Sequence, residues 1–432
     1  MTAFYSTRDR SEKTTWRDVV LQGLAKDGGL FLPESISPFP RSVIESMRGA
    51  DDTEICLMVA RQFLAGSIED AALEKIVRSA ITFPAPLRNI TDGRFVLELF
   101  HGPTSAFKDF GARFLARTMS YFAEGDSKPI TVLVATSGDT GGAVAAGFHQ
   151  VPGVDVIILF PKGRVSPLQE QQLTTWGDNI HAIEIEGSFD DCQALAKQAF
   201  RDKETEWKGR LTSANSINLA RLFPQSFYYF LAFAQLGDVE SFSCSIPSGN
   251  FGNLTAAIFA KRLGLPIKTI IGATNSNNTV PRYLESGRYE PRPSQLTISN
   301  AMDVGDPSNI ERLNTLCGGA VGLHDEIQAT YYTDTQTQEI LRRVLREYQY
   351  PLCPHSAIAW QAAIDCIPVA THESPTIALA TAHPAKFHEV VAETIGEPVV
   401  IPESLAQFLE KRSYKTTLPA EYKSLRSYML ER

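Results

Sequence analysis

The sequence is poor in cysteine, in long apolar runs and in charge of one sign, and each shortage excludes a class of protein. Six cysteines in 432 residues, at 56, 192, 244, 317, 353 and 366, include no C-x-x-C pair, so no disulfide framework is expected and the thiols read as reduced packing residues. The longest apolar run, FYYFLAFA at 227–234, falls far short of the roughly 18–20 residues that cross a bilayer. The opening MTAFYSTRDRSEKTTW carries no apolar stretch of signal-peptide length. A soluble, cytoplasmic protein with no membrane partner is expected. Eight histidines are scattered, and the nearest pair, His383 and His388, is spaced by five rather than the four that share a helix face, so no metal site is expected. With 49 acidic against 41 basic side chains, a net charge of −8 repels polyanions on average and argues against a nucleic-acid partner.

What is present is an enzyme-sized globular composition: 43% hydrophobic and 21% charged residues in a chain long enough for two to four domains. Up to about residue 87 the apolar spacing is helical, as in Trp16, Val19, Val20, Leu21 and Leu24 and again from Ile55 to Leu64, with little strand signal. From Phe95 the pattern changes. Short β-rich runs, FVLELF, ITVLVA, VDVIILF and IHAIEI, alternate with amphipathic segments, and FSCSIP, IKTIIG and TIALAT follow a long apolar helix expected over 217–236. That rhythm predicts βα units on parallel sheets. The expected architecture is α/β: a mainly helical N-terminal region over 1–89 and two open α/β lobes over 90–236 and 237–432. The Pro-containing stretch 286–294 reads as a loop.

Three segments at strand ends carry chemistry, where open α/β sheets bind ligands. TSGDTGG at 136–142 follows ITVLVA and suits backbone N–H groups facing an anion at a helix start; an ordinary glycine-rich turn capped by Asp139 accounts for it as well. PSGNFGN at 247–253 follows FSCSIP and contains no acidic side chain. A phosphate dianion should prefer it to the first turn, where Asp139 adds repulsion unless directed away. Gly249, Asn250, Phe251, Gly252 and Asn253 are therefore the expected phosphate cradle. Neither turn has the G-x-G-x-x-G or G-x-x-x-x-G-K-[ST] spacing of nucleotide sites. The third segment, HGPTSAFKDFGARF at 101–114, sets Lys108 beside Phe107 at a helix start. Most lysines are solvated surface residues, but an apolar neighbour and a positive helix end both disfavour the ammonium form, as a Schiff-base lysine requires.

These three segments, with ATAHPAKF at 380–387, resemble those of the fold-type II pyridoxal-phosphate enzymes of the tryptophan synthase β-like family. YSTRD, LQGLAKDGGLFLPE, PKGRVSPLQEQQ and SANSINLARLFPQ narrow the resemblance to the threonine synthases. It covers the chain from about Tyr5 to Phe387. The resemblance implies that Lys108 forms the Schiff base with pyridoxal 5'-phosphate and shuttles protons, and that the Gly249 to Asn253 turn holds the cofactor phosphate. It gives the substrate α-carboxylate to Thr136, Ser137, Gly138, Asp139 and Thr140, and the pyridine nitrogen to the Thr381 hydroxyl. Many fold-type II relatives have asparagine where this chain has Asp139, so the usual asparagine bond to the cofactor 3-hydroxyl does not transfer; the Asp form is familiar in threonine synthases.

SANSINLARLFPQ groups Ser213, Asn215, Ser216 and Asn218 with Arg221, neutral donors beside one forked cation, a set that fits a substrate phosphoryl group but also a capped helix start with a surface arginine. The implied reaction is a lyase reaction of threonine biosynthesis: conversion of O-phospho-L-homoserine and water to L-threonine and phosphate by γ-elimination and β-replacement. The alternatives are a serine/threonine dehydratase or a β-replacing cysteine synthase, neither of which needs a second anion site, and a non-catalytic α/β protein that binds a phosphorylated ligand. The small-molecule substrate is the expected partner, in a monomer or homodimer.

Overall fold

The computed structural model of the chain describes residues 2–124, 128–136, 138–202, 205, 207 and 209–431. Three sheets organise it. The N-terminal region contains β1 (Phe4–Ser6), β2 (Lys13–Thr14) and β3 (Phe31–Pro33), an antiparallel sheet in the order β2-β1-β3. This small sheet departs from the helical expectation because strands of two or three residues are too short to show a period of two. Helices such as Asp52–Phe63 and Asp70–Ala80 make up most of the rest of that region.

The remaining strands are β4 (Leu87–Thr91), β5 (Arg94–Glu98), β6 (Ile130–Ala135), β7 (Val154–Pro161), β8 (Ile180–Glu186), β9 (Arg210–Thr212), β10 (Phe242–Pro247), β11 (Ile267–Thr274), β12 (Ile327–Tyr331), β13 (Thr376–Ala380) and β14 (Lys415–Pro419). They form a five-stranded sheet, β14-β8-β7-β6-β9, and a six-stranded sheet, β12-β11-β10-β13-β5-β4. Every pairing in both is parallel except β4 with β5. Runs such as ITVLVA and FSCSIP are buried almost throughout, as strands covered by helices on both faces must be. The sheets exchange chain across the boundaries expected at 89 and 236. β5, which leads into the Lys108 segment, pairs with β13 in the six-stranded sheet, and β14 returns from the C-terminal part to β8.

The apolar helix expected over 217–236 is divided into Leu219–Leu222, a 3-10 turn Phe223–Ser226, and Phe227–Gln235. Pro224 has no N–H to donate along an α-helix, and the chain tightens at that point. One apolar core runs from Phe4 and Trp16 through Phe114 and Phe227 to Leu254 and Ile270. Phe63 stacks on Phe223 with ring centroids 3.9 Å apart, so the N-terminal region is part of the same packed body. All six cysteines are free. Among the described residues no helix is long and apolar enough to cross a membrane, and no group of three or more His, Cys, Asp or Glu side chains could hold a metal ion.

Candidate active site

The helices Lys108–Ala123, Asp139–Phe148 and Gly252–Arg262 each begin just beyond the carboxyl end of a parallel strand, β5, β6 and β10 respectively. Open α/β sheets bind ligands in the crevice beyond the carboxyl ends of their strands, and the starts of the first two helices meet there, with Lys108 Nζ 4.0 Å from Asp139 Oδ2. The Lys108 segment is held in two ways. The Asp109 carboxylate accepts from the Thr104 backbone N–H (2.9 Å) and hydroxyl (2.7 Å), folding 104–109 back on itself. The Phe107 N–H donates to the Thr381 carbonyl (2.9 Å) and the His383 N–H to the Ser105 carbonyl (3.1 Å), stapling that fold to the segment leaving β13. Lys108 and Thr381 are thereby brought side by side. The Thr381 hydroxyl has no hydrogen-bond partner among the described residues.

The Lys108 side chain is 15% exposed, with Nζ 4.0 Å from Asp139 Oδ2 and 5.6 Å from the Phe107 ring centroid. Burial pulls its pKa down to about 8; Asp139 resists the fall, and Arg221 and Lys386 add to it as like charges. Lys108 thus holds its proton far less tightly than an ordinary lysine, as the setting beside Phe107 predicted.

The first turn is built around Thr136 and Gly138. The Thr136 hydroxyl accepts the N–H groups of Gly138 (3.0 Å) and Gly141 (2.9 Å). Gly138 has φ 137°, and a Cβ there would lie 2.5 Å from Gln169 Cδ, so this position requires glycine. The N–H groups of Asp139 and Thr140 find no acceptor among the described residues. Ser137 lies outside the described residues. Asp139 is not an uncompensated charge: its Oδ1 accepts from Lys386 Nζ (2.7 Å) and Gln169 Nε2 (3.0 Å). Burial opposes its ionisation, yet Lys386 and Lys108 hold its pKa well below the usual carboxylate range. Lys386 is 0% exposed and also donates to the Thr104 carbonyl (2.9 Å). The repulsion expected from Asp139 is therefore offset by a lysine that no sequence expectation singled out, although ATAHPAKF contains it.

The second turn meets the requirements of a phosphate dianion. Phe251, with φ 56°, takes the left-handed residue of the turn and leads into the helix at Gly252. The N–H groups of Asn250, Phe251, Gly252 and Asn253 have no acceptor among the described residues, and no carboxylate belongs to the turn. The turn is braced from behind. Asn253 accepts from the Ser248 hydroxyl (3.0 Å) and donates to the Pro247 carbonyl (2.8 Å), while Asn250 donates to Ser216 Oγ (2.7 Å) and accepts from the Ser308 N–H (2.6 Å). A Cβ on Gly249 would come 2.7 Å from Met302 Cα. The neighbouring Ala301 N–H donates to His355 Nε2 (3.2 Å), and burial lowers the His355 pKa to about 4, which keeps that nitrogen an acceptor.

Ser216, Asn218 and Arg221 each brace a neighbouring segment: Ser216 the second turn, Asn218 the start of the helix Leu219–Leu222, and Arg221 the backbone at Lys108. Ser216 Oγ takes hydrogen bonds from Asn250 and Asn309. Asn218 caps the helix Leu219–Leu222 by accepting the Ala220 N–H (3.0 Å), and its amide donates to the carbonyls of Val20 (3.0 Å) and Ser213 (3.1 Å). With 0% exposure, its side chain is fully committed. Arg221 is no surface arginine: at 3% exposure it donates to the carbonyls of Ala214 (2.9 Å) and Lys108 (3.5 Å), while its buried Nε has no partner among the described residues. Burial lowers its pKa to about 10. Arg312, absent from the sequence expectations, is also buried and donates to the carbonyls of Phe31, Ser216 and Ile217 and to Asn309 Oδ1, tying this loop to the N-terminal region. No local pattern announces Arg312, because its acceptors are distant backbone groups.

Comparison with known proteins gives matches along the whole chain. Residues 87–378 match the family described as "Pyridoxal-phosphate dependent enzyme", residues 3–81 "Threonine synthase N terminus" and residues 356–429 "Threonine synthase, C-terminal". A threonine synthase of Escherichia coli (strain K12) is 44% identical over 428 residues, 99% of each chain. The crystal structure of threonine synthase from Escherichia coli superposes with a TM-score of 0.93 at 43% identity, covering 99% of both chains. A pyridoxal-phosphate-bound threonine synthase from Brucella melitensis gives a TM-score of 0.92 at 38% identity over 100% of this chain and 99% of its own.

Proposed function

The chain belongs to the threonine synthase family of pyridoxal-phosphate-dependent enzymes, and from that premise we propose the roles its residues take in converting O-phospho-L-homoserine and water to L-threonine and phosphate. The observation that carries the reading is the Lys108 amine, set at the head of a helix 4.0 Å from Asp139 with its proton loosened by burial, in a fold that also holds a carboxylate-free glycine turn whose N–H groups lack an acceptor among the described residues. Bound pyridoxal phosphate supplies an electron sink that acidifies the substrate carbons next to its point of attachment. The N–H groups of Asn250, Phe251, Gly252 and Asn253, without an acceptor among the described residues, would hold the cofactor phosphate at the positive end of the helix Gly252–Arg262. The Thr381 hydroxyl, fixed beside Lys108 by the Phe107 N–H, would offer a hydrogen bond to the ring nitrogen. A hydroxyl stabilises a protonated ring less than a carboxylate would, so the surrounding hydrogen bonds matter more.

Lys108 Nζ would be the covalent anchor for the cofactor and the base that takes the proton from substrate Cα. The N–H groups of Asp139 and Thr140 receive the substrate α-carboxylate, and the Lys386 ammonium neutralises Asp139 so that this turn accepts an anion. The substrate phosphate lies toward Arg221, a buried cation without a carboxylate partner, whose bonds to the Ala214 and Lys108 carbonyls also fix the lysine it serves. Turnover of O-phospho-L-homoserine compared with L-serine and O-acetyl-L-serine tests the reading. Phosphate release should dominate, and faster deamination of serine or sulfhydrylation of O-acetylserine would overturn it.

Arg221→Ala should lower kcat/KM for O-phospho-L-homoserine roughly 10- to 150-fold, the equivalent of a charge-assisted bond worth about 1.5–3 kcal/mol. Arg221→Lys should restore part of that loss by returning the charge. Cofactor should still be retained, and a neutral amino acid should lose far less affinity than the phosphorylated substrate. Equal weakening of both ligands would show that Arg221 supports only the general site.

A further inference from the structure

We propose that Lys386 is a positioning residue that, through Asp139, keeps the Lys108 amine free to react. The geometry is a line of three charges. Asp139 Oδ1 is occupied by Lys386 Nζ at 2.7 Å and Gln169 Nε2 at 3.0 Å, whereas its Oδ2 meets Lys108 Nζ only at 4.0 Å. Lys386 is sealed from solvent and has a second acceptor in the Thr104 carbonyl at 2.9 Å; Lys108 is partly exposed and has no acceptor at hydrogen-bond distance among the described residues. One carboxylate cannot fully offset two ammonium groups in a desolvated site, and the more weakly held of the two is the one whose proton is loosened. Lys386 is the lysine bonded to Asp139, and Lys108, left at 4.0 Å, is the amine with the loosened proton.

The other groups around Lys108 act in the same sense or stand aside. Arg221, from the helix Leu219–Leu222, is a further cation that disfavours its protonation. His355, from the helix Pro354–Cys366, is neutral at working pH. Asp109, on the lysine's own helix, is turned back onto Thr104. Removing Lys386 leaves Lys108 as the one ammonium near Asp139 among the described residues, so the Lys108 proton should be held more tightly; removing the Asp139 charge should do the reverse. This inference rests on Lys108 being the reactive lysine, but its test does not need the cofactor.

The experiment is competitive labelling of the full-length apo-protein with acetic anhydride across a pH series, reading Lys108 acetylation by peptide mass spectrometry. In the unaltered chain the midpoint should fall near pH 8. Lys386→Met should move it upward by about one pH unit, a roughly tenfold loss of free amine at neutral pH. Asp139→Asn should move it downward, and the double variant should fall between the two. A purely structural Lys386 would leave the Lys108 midpoint unchanged in Lys386→Met, and that result would overturn the inference. If Lys386→Met does not fold, an unshifted midpoint in Asp139→Asn overturns it. Failure of the Lys108 assignment itself would appear separately, as borohydride fixation of the cofactor on another lysine.

Discussion

Replacing Lys108 with alanine is expected to abolish the borohydride-trappable cofactor link and to lower turnover by roughly 10³-fold or more, since general acid–base catalysis alone contributes about 10²–10⁴. The chain should still fold. Asp139 keeps Lys386 and Gln169 as partners, and the helix start is held by Asp109 and Thr104, not by the lysine amine. The turn proposed as the phosphate cradle lies on a different segment, braced by Ser216, Ser248 and Ser308, so cofactor should still bind without a covalent link. Steady-state kinetics and the spectrum of the loaded variant check both halves. Turnover within tenfold of the unaltered chain would remove Lys108 from the reaction.

The second large effect is expected at Gly252. Its φ is ordinary, so backbone strain is not the reason for glycine; Phe251 carries the left-handed conformation instead. Space is the reason. A Cβ would come 3.1 Å from Ser216 Cβ, and the branched methyls of valine would crowd both Ser216 and the N–H groups at the head of the helix. Each charge-assisted bond to phosphate lost in this way, at about 1.5–3 kcal/mol, weakens cofactor retention roughly 10- to 150-fold. Gly252→Val should purify as a folded, colourless protein with unchanged far-ultraviolet circular dichroism. A full cofactor complement at unaltered affinity, measured by equilibrium dialysis, would withdraw the turn as the phosphate cradle.

The elements legible in the sequence are those whose signal is local. ITVLVA and FSCSIP are apolar runs bounded by turn residues, and they form β6 and β10 with the expected limits. β14 has no such signal, because KTTLP is exposed along most of its length and owes its place to pairing with β8, reinforced where Lys415 bridges Glu170 and Glu184. The transfer of β5 to the sheet of β13 is equally hidden, since strand pairing between distant segments leaves no periodic trace. The same division holds in the site. Lys108 beside Phe107 and the acid-free glycine turn announce themselves in a dozen residues, whereas Lys386 acquires meaning only when the fold carries it to Asp139. Asn218 shows the converse: its type fits a ligand, but its position immediately before a helix makes it a cap.

The crevice holds two buried or nearly buried lysines, Lys108 and Lys386, on either side of one carboxylate, and the chemistry turns on which of them bonds the cofactor. Reducing the pyridoxal-phosphate-loaded protein with borohydride, digesting it and locating the pyridoxyl group by mass spectrometry decides between them. The modification is expected on Lys108, in the peptide containing FKDFGAR, with Lys386 unmodified. A pyridoxyl group on Lys386, or on any lysine outside the crevice, would contradict the assignment of Lys108 as the reacting amine and, with it, the roles of Asp139 and Lys386 in setting its charge.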